Sequence, residues 1–261
     1  MNNITVASWN VNSVRARIEL LLNWIKKNDP DVILLQEIKA REEDFPYNAF
    51  DNFNYNIQIS GQKSYNGVAI LSRFPLSDIA VNLPTFEDPQ SRYIEAWVNY
   101  RDKGFRVASV YAPNGNPINS DKYEYKLKWL NNFYIHAKNL LDSEEKIILA
   151  GDYNICPSKN DVANENMILN DAVYQTEAKS LYRKICNNGY FDGFRELNNN
   201  LSGYTYWDYG QSYQNNLGIR IDHFLLSSYA LDGLNKIYVD EIPRKEKKTS
   251  DHAPIIADFT F

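Results

Sequence analysis

The sequence predicts an α/β fold, a four-layered α/β sandwich in which two mostly antiparallel β-sheets pack face to face with helices outside. Three features carry that reading. Strand, helix and strand signals follow one another between Ile4 and Glu37; a second apolar run of strand length, residues 146–150, follows a long helical segment; and the other β-rich runs are short and separated by Gly, Pro and Asp turns. Each half of the chain therefore holds strands, helices and an acid at a strand end. No hinge-like linker, low-complexity tract or short-period repeat separates the halves, so residues 1–261 are expected to form one domain.

Residues 4–9 alternate as a strand. Ile18, Leu21, Leu22 and Ile25 then recur at helical spacing, which predicts an amphipathic helix over residues 14–27, capped by Asn12 or Ser13 and stopped by Asp29-Pro30. Val32-Ile33-Leu34-Leu35 reads as a buried strand that delivers Gln36 and Glu37 at its carboxyl end. Antiparallel strands are expected over residues 55–59, 67–72, 94–98 and 105–111. A helix over residues 122–141 leads into the strand 146–150, which ends in Gly151-Asp152. A third helix, residues 172–186, finishes at Asn188-Gly189, where glycine readily takes a left-handed cap conformation. Residues 220–226 and 254–261 complete the core strands.

Composition excludes several classes of protein. With 44% hydrophobic residues the chain has material for a large core, which argues against general disorder. Lys and Arg total 28 against 33 Asp and Glu, so bulk charge does not attract it to nucleic acid or to an anionic membrane. A polyanion would have to be bound through a local basic surface and a metal. Cys156 and Cys186 are the only cysteines, too few for a disulfide scaffold and not at a zinc spacing, and they read as buried or half-buried thiols in a reducing compartment. The N-terminus enters strand-like sequence directly and no run approaches the ~18 apolar residues of a membrane span, so a soluble, cytoplasmic protein is expected.

The chemistry concentrates in three separated segments. Gln36-Glu37, Gly151-Asp152-Tyr153-Asn154 and Ser250-Asp251-His252-Ala253-Pro254 supply carboxylates, an amide and an imidazole, the groups that hold a hard divalent cation and activate water at a phosphate. Each segment alone has an ordinary explanation: a solvated acid, a strand-ending turn, a cap with a surface histidine. Together they are more specific. A phosphodiester needs charge neutralisation, an oriented water and a stabilised leaving oxygen, and Glu37, Asp152 and His252 are of the right types to divide that work. Histidine is also scarce, at three in the chain, and His136 and His223 lie in helical and strand contexts that packing explains.

A family resemblance joins these segments to others. Asn10-Val11-Asn12-Ser13-Val14-Arg15, Leu35-Gln36-Glu37-Ile38-Lys39, Tyr65-Asn66-Gly67-Val68-Ala69, Tyr111-Ala112-Pro113-Asn114-Gly115, Gly151-Asp152-Tyr153-Asn154, Gly218-Ile219-Arg220-Ile221-Asp222 and Ser250-Asp251-His252 occur in the order and approximate spacing of the exonuclease III family of abasic-site endonucleases, within the endonuclease/exonuclease/phosphatase superfamily. The matches span essentially the whole chain. The resemblance implies a Mg²⁺-dependent phosphodiesterase, with Mn²⁺ as a possible substitute, that cuts DNA 5′ to an abasic site and leaves a 3′ hydroxyl, with 3′-to-5′ exonuclease and 3′-phosphatase activities. It implies double-stranded DNA with abasic or 3′-blocked lesions as partner, and a monomer.

By the same resemblance, Glu37 is the main metal ligand with Asn10 nearby, and Asp251, Asp152, Asn154 and His252 belong to the metal region. Asp152 orients or activates the attacking water, with Asn154 beside it as a hydrogen-bond donor. His252 contacts the phosphate and is oriented by Asp222, and Tyr111 assists at the phosphate or leaving oxygen. Arg15, Lys39, Tyr65, Arg92 and Asn114 match positions that contact the DNA backbone. The segment 204–209, including Tyr206, resembles with Ile219, Arg220 and Ile221 the wall of a small pocket for a flipped-out, base-free sugar. Three other readings stand beside this one: a superfamily cousin acting on inositol phosphates or sphingomyelin, a catalytically silent binding module, and an interaction protein docking through the basic run 244–248.

Overall fold

In the computed structural model, residues 3–101 and 103–261 are described. They form two six-stranded sheets with helices around them. Strands β1 (Asn3–Asn10) and β2 (Val32–Gln36) run parallel, joined by helix α1 (Ile18–Asn28); they are followed by β3 (Asn56–Ser60), β4 (Val68–Ser72), β5 (Leu76–Val81) and β6 (Tyr93–Tyr100). Strands β7 (Lys103–Tyr111) and β8 (Ile147–Asp152) are the second parallel pair, joined by α2 (Asp121–Leu140). Then come α3 (Thr176–Asn187), β9 (Tyr190–Asp192), α4 (Gly193–Leu197), β10 (Asp222–Ser227), α5 (Ser228–Leu231), β11 (Leu234–Val239) and β12 (Ile255–Thr260).

The strand orders are β11-β12-β1-β2-β4-β3 and β5-β6-β7-β8-β10-β9. In both sheets the parallel pair is central and every other pairing is antiparallel. A parallel pair needs a crossover connection, and α1 and α2 provide it. This topology carries the carboxyl ends of β1, β2, β7 and β8, with Asn10, Gln36, Tyr111 and Asp152, toward one another at the middle of the sandwich. Ligand sites in sheets with parallel strands characteristically lie at such ends.

The period of two along each strand divides the core into layers. Val6, Val32, Leu34 and Ile70 from one sheet meet Ile94, Val107, Ile148 and Phe224 from the other in the central layer. The intervening residues face the helices: Ala7, Trp9, Ile33 and Leu35 pack on Leu21, Trp24 and Ile25 of α1, while Val110, Ile147 and Leu149 pack on Trp129, Leu130 and Phe133 of α2. Burial on both faces is why residues 32–35 and 147–150 are unbroken apolar runs.

Several boundaries differ from the sequence reading. Helix α1 starts at Ile18, because Asn12 and Ser13 take positive φ values of 46° and 89° and turn the chain instead of capping it. Helix α3 starts at Thr176; residues 172–174 form a separate 3-10 turn, divided from it by an extended Gln175. Strands β5, β9 and β11, which escaped the sequence reading, are all sheet edges. Among the described residues no helix is long and apolar enough to cross a membrane.

Candidate active site

Five elements converge on one cavity of about 170 Å³, lined by Glu37, Tyr111, Asn114, Asp152, Asn154, Asp251 and His252, with Tyr206, Ile219 and Ile221 on its apolar side. Glu37 follows β2 at φ 49° and Asn154 follows β8 at φ 48°, both left-handed conformations that non-glycine residues rarely adopt. The backbone therefore turns sharply just where each strand delivers its polar side chain. Strain of this kind concentrates at functional sites.

Asn10 joins the two halves of the sandwich. Its Nδ2 donates to Glu37 Oε1 and to Asp152 Oδ2, both at 2.9 Å. Tyr111 donates its hydroxyl to the same Glu37 oxygen at 2.9 Å. On the other Glu37 oxygen sits the Lys39 ammonium at 2.8 Å, which also donates to Asn12 Oδ1 at 2.6 Å. Asn12 Nδ2 in turn donates to Asp251 Oδ1 at 3.1 Å. Burial opposes ionisation of Glu37, but the bonds from Asn10 and Lys39 outweigh it and hold the carboxyl below its usual range. Burial, reinforced by the Glu37 charge, raises Tyr111 far above an ordinary phenol, so its hydroxyl stays a donor.

His252 is fully enclosed between carboxylates. Its Nδ1 donates to Asp222 Oδ2 at 2.8 Å, and Nε2 lies 3.7 Å from Asp152 Oδ2. Burial works against the charged ring, yet Asp222 and Asp152 more than compensate and raise it to about 10. Asp152 accepts from the Asn154 main-chain N–H at 2.9 Å on its other oxygen, and burial, only partly offset by the imidazolium, pushes it up to about 7. Asp152, Asp222 and His252 bring ligand atoms within 4.8 Å of one another. Since the ring carries a proton on both nitrogens, this trio is an ion-paired network.

A second, more open cavity of about 480 Å³ shares Asn114 with the first and is lined by Tyr65, Arg92, Asn116 and Lys122 among others. Tyr65 stands out into solvent there, 70% exposed. Arg92 is mostly buried, held by Gln90 Oε1 through Nε and Nη2, with its guanidinium 4.8 Å from the Tyr111 ring. Arg15 is exposed and Lys39 half-buried beside Glu37. Tyr206 packs at 5.0 Å, edge-on, against the His252 ring.

Arg220 requires a correction. The sequence reading placed it on the DNA-contacting wall, but only 1% of it is exposed and it points inward. Its Nε donates to Asp161 Oδ1 at 2.6 Å and its Nη atoms to Asp192 at 3.1 and 2.8 Å, a network that also takes in His223 at 2.9 Å. In the segment just before β10, Ile219 and Ile221 line the cavity while Arg220 is directed into the Asp161 and Asp192 network. The basic run 244–248 also divides: Arg244 is buried, bonded to the main-chain carbonyls of Ser250 and Trp207, whereas residues 245–248 are exposed.

Sequence reasoning missed Lys126 and read Asn12 only as a helix cap and a member of a motif. Lys126 was legible in principle, because it shares the helical stripe of Trp129, Leu130, Phe133 and Ala137, all buried. The bridge that Asn12 makes between Lys39 and Asp251 gave no signal, since it depends on which loops meet.

Residues 7–252 match the model of the endonuclease/exonuclease/phosphatase family. The chain belongs to that family. It is 34% identical to exodeoxyribonuclease III of Haemophilus influenzae, over 97% of this chain and 98% of the relative. Among solved structures, a 3′ phosphatase, NExo, from Neisseria bound to a product DNA hairpin aligns with a TM-score of 0.94 at 33% identity, covering 99% of this chain and 100% of that one. An AP endonuclease from Archaeoglobus fulgidus aligns with the same TM-score at 32% identity and the same coverage. The two-sheet sandwich is thus the fold of the endonuclease/exonuclease/phosphatase family.

Proposed function

We propose that this chain is a DNA repair phosphodiesterase that hydrolyses the backbone 5′ to an abasic site in double-stranded DNA, leaving a 3′ hydroxyl, and that it also removes 3′-blocking groups and nucleotides from 3′ ends. One observation carries the reading: a charged imidazole and a buried carboxylate, His252 and Asp152, face one cavity whose other side is built from oxygen donors. The family membership, with relatives named for exodeoxyribonuclease, AP endonuclease and 3′-phosphatase activities, supports DNA as substrate.

The donor set fits a hard divalent cation, Mg²⁺ first and Mn²⁺ as a substitute. Glu37, Asp251 and Asp152 offer carboxylate oxygens, with Asn10 and Asn154 beside them, and Lys39 already places a positive charge on Glu37. When bound, the ion neutralises phosphate charge and steadies the departing oxygen. His252 donates Nε2–H to the scissile phosphate, Asp222 keeps that ring charged, and Tyr111 donates to a phosphate oxygen. Asp152, raised by burial into the neutral range, takes a proton from the attacking water while Asn10 and the Asn154 amide hold its carboxylate in place. Arg15, Lys39, Tyr65, Arg92 and Asn114 bind backbone phosphates, and Tyr206, Ile219 and Ile221 receive the base-free sugar. We read residues 1–261 as one domain, a reading supported by the core layer shared by both sheets, and propose that it is monomeric and cytoplasmic.

The test is cleavage of a labelled duplex with one abasic-site analogue, beside intact and 3′-recessed duplexes, with Mg²⁺ or chelator. Metal-dependent incision at the lesion is expected. A folded, metal-loaded protein that cuts no DNA would sink the reading and turn attention to phosphoinositide and lipid phosphodiesters.

A further inference from the structure

Lys126 has no exposed surface, and among the described residues no carboxylate lies within ion-pairing distance of it. Its Nζ donates to two main-chain carbonyls, Asn154 at 2.5 Å and Asn114 at 3.0 Å. Burial disfavours the charged amine and lowers it to about 7, yet the amine is kept in place as the partner of two buried main-chain carbonyls beside the cavity.

Its two acceptors line the catalytic cavity from the front while Lys126 holds them from behind. Asn154 is kept at φ 48° with its Nδ2 on the Ala112 carbonyl at 3.0 Å and its main-chain N–H on Asp152 Oδ1. Asn114 heads a loop wrapped on the lysine stem: Gly115, at φ 87°, passes so close that a Cβ there would lie 2.5 Å from Lys126 Cδ. Anchoring both carbonyls holds in place two residues that line the cavity and the Asn154 N–H that steadies Asp152.

Resting on the proposed phosphodiesterase activity, we propose that Lys126 is a positioning residue for that reaction: its ammonium fixes the backbone of Asn114 and Asn154 and so aligns Asp152 and the carboxamides with the phosphate. It touches no substrate. Its contribution appears in turnover, because misplacing reacting groups by about 1 Å costs on the order of 100-fold in rate.

The experiment compares Lys126→Met and Lys126→Arg with the unchanged full chain. Lys126→Met, which leaves two buried carbonyls unpaired, is expected to remain folded with a melting temperature lowered by several degrees, to bind the abasic duplex with KM within about threefold, and to lose roughly 100-fold in kcat. Lys126→Arg, which keeps a donor, is expected to recover at least a tenth of the parent kcat. A Lys126→Met protein with kcat within about threefold of the parent overturns the proposal, as does a Lys126→Arg protein that regains the parent melting temperature without regaining kcat. Should Lys126→Met not fold, Lys126→Gln decides by the same criteria. Amide hydrogen exchange at Asn154 is read in parallel: lost protection confined to residues 112–116 and 152–155 supports the proposal, unchanged protection overturns it. That readout needs no DNA, so it decides the role of Lys126 even if the parent cleaves nothing and the functional reading falls.

Discussion

His252 Nδ1 lies 2.8 Å from Asp222 Oδ2, the closest of the contacts that make this imidazole a permanent cation near neutral pH. Asp222 reaches it from β10, while Asp152 faces the opposite nitrogen from the neighbouring strand β8, with which β10 pairs at this residue, Asp222 opposite Asp152. The sheet register thus sets the spacing of the two carboxylates. Replacing Asp222 with Asn keeps the shape and removes the charge, leaving the ring less cationic. Single-turnover incision by Asp222→Asn is expected to slow by about 100-fold with duplex affinity changed much less. Near-parental turnover would show that the ring does not act as a cation.

With Glu37 proposed as a metal ligand, Lys39 would compete with the ion for it. Its ammonium occupies the Glu37 Oε2 side at 2.8 Å and must be displaced or share the carboxylate when a divalent ion binds. Lys39→Met should therefore tighten Mg²⁺ binding by several-fold in calorimetry without DNA, while Glu37→Gln weakens it by at least tenfold. If Lys39→Met leaves the metal affinity unchanged, the cation lies away from Glu37.

Gly151 cannot carry a side chain. It sits at φ 154° on β8, opposite Val110 of β7, and a Cβ would stand 1.9 Å from the Val110 carbonyl oxygen. Gly151→Ala must spread the central parallel pair or change the backbone path into Asp152. A loss of about 3 kcal/mol or more in urea unfolding is expected, together with loss of activity. Retention of parental stability would mean that the strands part without cost.

Acid stability should report His223. Burial and the adjacent Arg220 lower this ring from 6.5 to about 4, and Arg220 donates to its Nδ1, leaving Nε2–H to donate to the Ile155 carbonyl. The unfolded chain binds a proton below pH 6.5 that the folded chain refuses until about pH 4. Stability from this residue is thus whole above pH 6.5 and declines as the pH falls toward 4, by about 3 kcal/mol at most. Asp192, held near 2 against burial by the Arg220 and His223 charges, adds stability present above pH 3.8 that is lost as pH falls through about 2. Urea unfolding between pH 7 and 4 should show the first decline in the parent and a flatter profile in His223→Gln.

The strands that deliver Glu37 and Asp152 were legible because they are buried on both faces and so read as continuous apolar runs ending in a polar residue. Edge strands β5 and β11 were not, since partial exposure leaves their pattern mixed. Start points of helices α1 and α3 were misplaced for a related reason: local spacing cannot reveal the turns at Ser13 and Gln175 that tertiary contacts impose.

By itself the sequence determined the layered α/β architecture, the family, and the identity of the side chains that gather in the cavity, because hydrophobic period and short polar motifs are written in local order. Only the tertiary structure decided how those side chains face. Arg220 and Arg244 turn inward, Lys126 becomes a buried anchor, and His252 becomes a cation between Asp222 and Asp152. Those outcomes depend on burial and on charges brought within a few ångströms from distant segments, and electrostatic energy at that range is set by distance and desolvation, neither of which sequence spacing encodes.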